Sequence, residues 1–271
     1  MSDVHVRLDT RLVQLGLASG RERAKELLAA GEVTVNGRPV TKASTMVGEA
    51  DTVACSAPPP QYVGRGGFKL EKALAIGALS LSGLVCMDVG ASTGGFTDCM
   101  LQAGAAHVYA VDVGHDQLHP RLLADARVTS LEGMDVRSSA LAKQVQPGTV
   151  DFAGVDVSFV SLERVLPALM PYLRPGAQAV CLIKPQFEAG QADIGKRGVV
   201  KDPKAHLRVL HNMLTMFASL DLGVQQLTYS PITGGEGNIE YLAVLSLGKN
   251  AAPLDPAQVV AEAHIKLKGK R

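Results

Sequence analysis

One stretch constrains this chain more than any other: Val85-Cys86-Met87-Asp88-Val89-Gly90-Ala91-Ser92-Thr93-Gly94-Gly95-Phe96-Thr97-Asp98. A short apolar run meets a glycine turn and passes into a helical pattern that begins near Gly95, which reads as buried strand, tight turn and helix. A turn of this kind aims bare backbone N–H groups and the positive end of a helix at whatever lies above it. Glycine permits φ > 0 and lets a ligand approach the main chain. The geometry suits an anionic or carboxylate-bearing ligand.

The letters narrow the choice. Gly90 to Thr97 spells G-x-x-x-x-G-Phe-Thr, a Walker A loop whose lysine is replaced by Phe96. Without that lysine nothing cancels β- and γ-phosphate charge, which argues against a nucleotide triphosphatase. The dinucleotide pattern G-x-G-x-x-G fails as well, because Ser92 holds the second glycine position. What remains is a cofactor with adenosine and a carboxylate but no phosphate, and S-adenosylmethionine fits. Asp112 ends the next apolar run, His107-Val108-Tyr109-Ala110-Val111-Asp112, about 20 residues on, where a carboxylate can take both ribose hydroxyls. Gly90, Ala91, Ser92 and Gly94 are assigned to the methionine end, Asp112 to the ribose and Asp135 to the adenine. Asp88 is expected to support the loop or to meet the amino group through water.

Around this loop, strand and helix patterns alternate. Candidate strands fall at 84–89, 107–112, 127–131, 150–155, 177–183, 224–230 and 239–247. Such alternation predicts an α/β fold, a Rossmann-like, mostly parallel, doubly wound sheet. Glu188 to Gly198 is Gly-rich and reads as a mobile loop, and Lys266 to Arg271 as a short disordered basic tail with weak nucleic-acid contact.

The first 56 residues read as a separate α+β module. Arg7 to Leu17 sets leucines on one helical face and arginines on the other; Ser19 is a plausible N-cap for a second helix, Arg21 to Ala30, ended by Gly31. Glu32 to Val40 gives strand, Asn36-Gly37 turn and returning strand. This order, with the run L-A-S-G-R-E-R-A-K-E-L-L-A-A-G-E-V-T-V-N-G, resembles the S4 RNA-binding domain. The resemblance implies an RNA-phosphate face on Arg7, Arg11, Arg21, Arg23 and Lys25. Residues 1 to 60 nonetheless carry seven basic and seven acidic side chains, so the helix pair and hairpin, not net charge, carry that reading. Residues 57–64, with Pro58-Pro59-Pro60, form a semi-rigid linker. Residues 65–250 hold the sheet, and 251–271 a C-terminal helix and tail.

Four charged residues occupy telling places. Lys69 opens a helix just before the glycine-loop strand, Asp156 follows Phe152-Ala153-Gly154-Val155, Lys184 closes Ala179-Val180-Cys181-Leu182-Ile183, and Glu240 begins the last strand. Ligands of open α/β sheets sit beyond the carboxyl ends of the parallel strands, so Asp156 and Lys184 belong beside the Gly90 loop. Glu240 reaches the same rim only if the last strand runs antiparallel. Taken singly, each is explained by the frequent charging of strand ends, and a lysine there often snorkels. Convergence of all four is harder to dismiss.

The segments Tyr62-Val63-Gly64-Arg65-Gly66-Gly67-Phe68-Lys69-Leu70, Asp88 to Thr97, Asp156-Val157-Ser158-Phe159-Val160-Ser161-Leu162, Lys184-Pro185-Gln186-Phe187-Glu188 and Gly237-Asn238-Ile239-Glu240-Tyr241 together resemble the TlyA (hemolysin A) family over nearly the whole chain. That family is similar to the FtsJ group of ribose 2′-O-methyltransferases, whose active site is a Lys-Asp-Lys-Glu tetrad. By motif position the resemblance implies that Lys69, Asp156, Lys184 and Glu240 are catalytic. It further implies 2′-O-methylation of cytidines in 16S and 23S ribosomal RNA, with assembled 30S and 50S subunits as substrates. Gly64 departs from the serine common before the Arg-Gly in relatives. In the chemistry such a tetrad serves, Lys184 orients the ribose hydroxyl and either takes its proton or clamps the developing oxyanion.

Composition excludes little else. The net charge is +1, so any nucleic-acid surface must be local. No apolar run approaches the ~18 residues of a membrane span, and the N-terminus lacks a signal-like segment, so a cytoplasmic monomer away from membranes is expected. Cys55, Cys86, Cys99 and Cys181 are too scattered for a zinc site and read as reduced thiols; no metal is expected. An inactive ribosome-associated RNA-binding factor and a membrane-lytic protein are the competing classes. An intact loop and four intact tetrad positions oppose the first, and the lack of a spanning segment opposes the second.

Overall fold

The computed structural model describes residues 5–18 and 20–267, arranged as two compact units, Met1–Arg65 and Gly66–Arg271. The first contains β1 (Val6–Arg7), α1 (Leu8–Gln14), α2 (Arg21–Ala29), β2 (Val33–Val35), β3 (Arg38–Pro39), β4 (Met46–Val47) and β5 (Val53–Cys55). β1 pairs with β4, and β3-β2-β5 form a second small sheet, antiparallel throughout. Asn36 and Gly37 turn the β2–β3 hairpin with φ of 51° and 76°, the left-handed pair a type I′ turn needs. Leu8 and Leu12 of α1 meet Ala24, Leu27 and Leu28 of α2 in one core, the i, i+4 spacing that buries one helical face. α1 is shorter than the 7–17 pattern: Arg7 pairs in β1, and Gly16 enters the left-handed region at φ 69°. Ser19, expected to cap α2, lies outside the described residues, and Gly20 precedes the helix.

The second unit runs α3 (Gly66–Ile76), β6 (Val85–Val89), α4 (Gly95–Gln102), β7 (His107–Asp112), α5 (Pro120–Leu123), β8 (Val128–Glu132), β9 (Val150–Val155), α6 (Leu162–Leu169), β10 (Leu173–Ile183), α7 (Pro185–Glu188), α8 (Pro203–Ser219), β11 (Leu222–Tyr229), β12 (Tyr241–Leu247) and α9 (Pro256–Leu267). The seven strands are ordered β11-β12-β10-β9-β6-β7-β8. All neighbours are parallel except around β12, which is antiparallel to both β10 and β11.

Period-2 alternation sorts the strands between two helical layers. Met87, Val89, Ala153, Val155, Cys181, Ile183, Tyr241 and Ala243 share a core with Val165 and Leu166 of α6, Val209 and Leu210 of α8, and Val260 of α9. On the other face α3 packs against α4 and β12, and Gly154 leaves the space that Met100 and Phe96 fill. The antiparallel β12 matters most for function: Tyr241 stands opposite Ile183, so the start of β12 meets the end of β10.

Two sequence expectations are corrected. The stretch from Glu188 to Gly198 is only partly loop, since Glu188 closes α7 and residues 191–193 form a 3-10 turn. Lys266 and Leu267 belong to α9 rather than to a disordered tail; residues 268–271 of that tail lie outside the described residues. All four cysteines are free thiols, three of them buried.

Candidate active site

The β6–α4 turn is built by close backbone contact. Gly90 takes φ 87°, and a Cβ there would lie 2.6 Å from the Asp156 carbonyl oxygen, so only glycine lets the chain after β9 cross at that distance. The Asp156 N–H donates to the Val89 carbonyl at 2.9 Å, which fixes Asp156 beside the loop. Ser92 holds φ 47°, an uncommon conformation for a residue with a side chain. At Gly94, φ 94°, a side chain would run into Leu122.

Beneath the turn, Asp88 is fully buried. Its Oδ2 accepts the Thr97 N–H at 2.8 Å and the Thr97 hydroxyl at 2.6 Å, tying the first turn of α4 to β6. Among the described residues its Oδ1 has no hydrogen-bond partner. Burial pushes the Asp88 carboxyl up to about 7, against the two Thr97 hydrogen bonds and with a further push from Asp156 and Asp112.

A cleft of about 490 Å³ opens at the carboxyl ends of β6 and β7, lined by Gly90, Ser92, Asp112, Asp135, Asp156 and Ser158 among others. Asp112 is held at both oxygens: Oδ2 accepts the Ser92 N–H and Oδ1 the Gly114 N–H, each at 2.7 Å. Asp135 forks onto Arg137, Oδ2 to Nη2 at 2.6 Å, which lowers its carboxyl from the usual range. Of the residues assigned from sequence to the cofactor, Gly90, Ser92, Asp112 and Asp135 line the cleft, whereas Asp88, Ala91 and Gly94 do not and are built into the turn below it.

From Asp156 on the cleft wall, ion pairs reach the other three charged residues, which do not themselves line the cleft. Lys69 Nζ donates to Glu240 Oε2 at 2.7 Å and stands 3.7 Å from Asp156 Oδ2. Lys184 Nζ lies 2.6 Å from Asp156 Oδ1 and donates to Ser158 Oγ at 2.8 Å. The result is an alternating chain, Glu240–Lys69–Asp156–Lys184, with no net charge. Lys69, Lys184 and Glu240 are all buried, so neither lysine snorkels to solvent. Burial of this kind is tolerated only because each charge has an opposite partner. Gly234 makes the room, since a side-chain carbon there would overlap the Glu240 carboxylate.

Several residues of the site escaped the sequence reading. Ser158 is the partner of Lys184, Gln117 accepts from Ser92 Oγ at 3.2 Å, and Glu188 accepts from Ser161 Oγ at 2.6 Å and the Leu162 N–H at 2.9 Å. Burial raises the Glu188 carboxyl. Phe159 follows Ser158 with φ 63°, is 91% exposed and leans on Phe187 at 5.1 Å between ring centroids. Ser158, Phe159, Ser161, Leu162, Phe187 and Glu188 stood in the segments that carry the family resemblance but had no role there, because period-based patterns do not show which polar side chains will meet.

The model of the FtsJ-like methyltransferase family matches residues 62–247 of this chain. The chain belongs to that family. An S4 domain model matches residues 6–53. The 16S/23S rRNA (cytidine-2′-O)-methyltransferase TlyA of Mycobacterium tuberculosis is 41% identical, over 87% of each chain. Hemolysin A of Brachyspira hyodysenteriae is 39% identical over 88% of this chain and 98% of that one. A solved structure from Streptococcus thermophilus that carries the hemolysin name superposes with a TM-score of 0.77 at 41% identity, covering 97% of both chains.

Within the S4 domain, the arginines expected to face RNA are not equivalent. Asp9 is fully buried and accepts from Arg7 at 3.0 and 2.9 Å and from Arg21 at 3.4 and 3.2 Å. These bonds, that from Arg7 foremost, hold its carboxyl well below the usual range. Arg23 pairs with Glu26 at 3.0 Å and Lys25 with Glu22 at 2.6 Å on the exposed side of α2. Arg11 Nε is buried and, among the described residues, has no hydrogen-bond partner. No helix among the described residues is long and apolar enough to cross a membrane.

Proposed function

We propose that this methyltransferase transfers a methyl group from S-adenosylmethionine to the ribose 2′-hydroxyl of cytidine in 16S and/or 23S ribosomal RNA, acting on ribosomal subunits in the cytoplasm as a monomer. The observation that carries the reading is the alternating Glu240–Lys69–Asp156–Lys184 chain, which meets the Gly90 cleft at Asp156. The relative from Mycobacterium tuberculosis, named for cytidine 2′-O-methylation of 16S and 23S rRNA, supports the substrate.

The cleft suits the cofactor. Asp112 keeps free lone pairs on both oxygens after its two backbone bonds, enough for a pair of ribose hydroxyls. Phe96, at the place of a phosphate-binding lysine, is buried in the core, so no cation on this loop waits for a triphosphate. Val111, Val113, Met134 and Val136 give the cleft apolar walls for an adenine ring. When bound, S-adenosylmethionine supplies an electrophilic methyl group on sulfur.

The chain's own residues do the rest. Lys184 Nζ orients the 2′-hydroxyl; as a neutral amine it takes the proton, and as an ammonium it stabilises the developing oxyanion. Asp156, shared between Lys184 and Lys69, fixes Nζ, and Glu240 holds Lys69. Such positioning at near-attack distance is worth several kcal/mol. The exposed ring of Phe159 offers a base a stacking surface beside Ser158. The S4 arginines hold RNA phosphates.

Incubation of the full-length protein with methyl-tritiated S-adenosylmethionine and separated 30S and 50S subunits tests this directly. Label recovered as 2′-O-methylcytidine is expected. Label on bases or on protein, or none on RNA, overturns the reading.

A further inference from the structure

The segment between α7 and α8 carries Lys196, Arg197 and Lys201, with Lys204 in the first turn of α8, all exposed, against Asp193 and Asp202. Asp193 is taken up by Arg208 at 2.7 Å, and Asp202 accepts the Lys204 N–H at 2.9 Å as the cap of α8. Among the described residues, neither Lys196 nor Arg197 nor Lys201 has an acidic partner within ion-pair distance.

This basic turn does not hang free. The Gly198 N–H donates to the Gly195 carbonyl at 2.8 Å and the Gly195 N–H to the Val199 carbonyl at 3.1 Å. Buried Asn238 grips it from β12's side: Oδ1 accepts the Val200 N–H at 3.2 Å, and Nδ2 donates to the carbonyls of Gly198 and Gly235, each at 3.1 Å. His206, fully buried, joins the Val200 carbonyl through Nε2 at 2.9 Å and the Tyr241 hydroxyl through Nδ1 at 2.7 Å. Asn238 lies two positions before Glu240 and Tyr241 directly after it. The cations are thereby held at a set position relative to the charged chain of the active site.

We infer that Lys196, Arg197 and Lys201 form a second phosphate-contacting surface for the RNA substrate, one that registers the nucleic-acid backbone against the active site. The inference rests on the proposed RNA substrate. The chemistry of the surface favours a polyanion over a protein: the turn exposes Gly195, Lys196, Arg197 and Gly198 while Val200 is buried, so it offers charge without the aromatic or aliphatic anchor protein interfaces rely on.

The test is a salt series of binding to protein-free ribosomal RNA and to intact subunits, for the wild-type chain and for Lys196→Glu/Arg197→Glu. Losing two phosphate contacts lowers the salt slope by about 1.8, so between 50 and 200 mM salt the wild type should lose roughly tenfold more affinity than the variant. KM for RNA should rise with kcat held, and the charge-retaining pair Lys196→Arg/Arg197→Lys should behave as wild type. If the reversed charges disturb folding, read as a lowered melting temperature, Lys196→Ala/Arg197→Ala reads the same slope. Equal slopes for variant and wild type overturn the inference, as does a loss seen only with intact subunits, which would assign the surface to a ribosomal protein. A wild-type chain that binds RNA through these residues yet methylates none would sink the proposed reaction and leave this surface standing.

Discussion

Lys69 Nζ stands 2.7 Å from Glu240 Oε2, joining residues 171 positions apart. The contact exists because β12 enters the sheet antiparallel between β10 and β11, which returns its first residues to the edge where the parallel strands end. Both side chains are buried, so removing either partner leaves a charge without compensation, typically a loss of 3–5 kcal/mol. Neighbouring Lys184 is the cleaner probe of chemistry, because Lys69 retains Glu240 when Lys184 is changed.

Lys184→Ala is therefore expected to abolish methyl transfer, by 10²-fold or more on the scale of a lost proton acceptor or oxyanion donor. S-adenosylmethionine affinity should stay close to wild type, since Lys184 contacts Asp156 and Ser158 and Asp112 is untouched. Single-turnover methylation together with calorimetry checks both halves; turnover near the wild-type rate rules out the role given to Lys184.

Asp112→Ala should weaken S-adenosylmethionine by roughly 1–3 kcal/mol, the cost of leaving buried hydroxyls unpaired. The change also strips the Ser92 and Gly114 N–H groups of their acceptor, so the loop should loosen. Isothermal titration with the cofactor is the measurement, and unchanged affinity would remove Asp112 from the pocket. RNA affinity should barely move.

Asp88 gives the protein a pH signature. Burial above all pushes its carboxyl up to about 7, from the ordinary aspartate value of about 3.9. Between those values the folded chain keeps a proton that the unfolded chain has released, so this group's stabilising contribution is full below about pH 4 and is lost as pH rises toward 7. The slope is at most about 1.4 kcal/mol per pH unit. Denaturant unfolding of Asp88→Asn should show a flatter pH dependence than wild type from pH 5 to 7; parallel curves would mean that Asp88 is ionised throughout.

In the S4 domain, Arg23→Glu tests RNA docking more cleanly than Arg21→Glu. Arg21 helps to satisfy buried Asp9, so reversing its charge places two carboxylates together and unsettles the fold. Among the described residues, Arg23 pairs with exposed Glu26 alone. Arg23→Glu should leave the melting temperature within a degree or two, given the small worth of exposed pairs, while subunit affinity falls and its salt slope drops by about 1. Asp9→Ala should instead cost on the order of 2 kcal/mol of stability through lost charged hydrogen bonds. Unaltered binding by Arg23→Glu would leave Arg23 as a solvated residue.

The strands and the glycine turn were legible because their signals are local. The run from Val85 to Val89, the glycines at 90 and 94, and the Asn36-Gly37 hairpin each announce a backbone conformation through a few neighbouring residues. The antiparallel course of β12 was legible less directly, from the requirement that Glu240 reach the rim occupied by Asp156 and Lys184. Glu188 was misread as the start of a loop because nothing in its neighbourhood shows that Ser161 and Leu162, 27 and 26 positions away, will present donors to it.

The sequence by itself determined an α/β sheet with a glycine-turn ligand site, a helical-hairpin module ahead of it, and the four charged residues at strand and helix ends. Backbone preference and hydrophobic periodicity act over a few residues, and they suffice for that much. Only the tertiary structure decided that Lys184 bonds Ser158, that Asp9 gathers Arg7 and Arg21, that Asn238 and His206 brace the basic turn, and that Asp88 sits dry enough to titrate near neutrality. Those outcomes depend on which distant groups are brought together and how much water is excluded, and neither quantity is written in a local pattern.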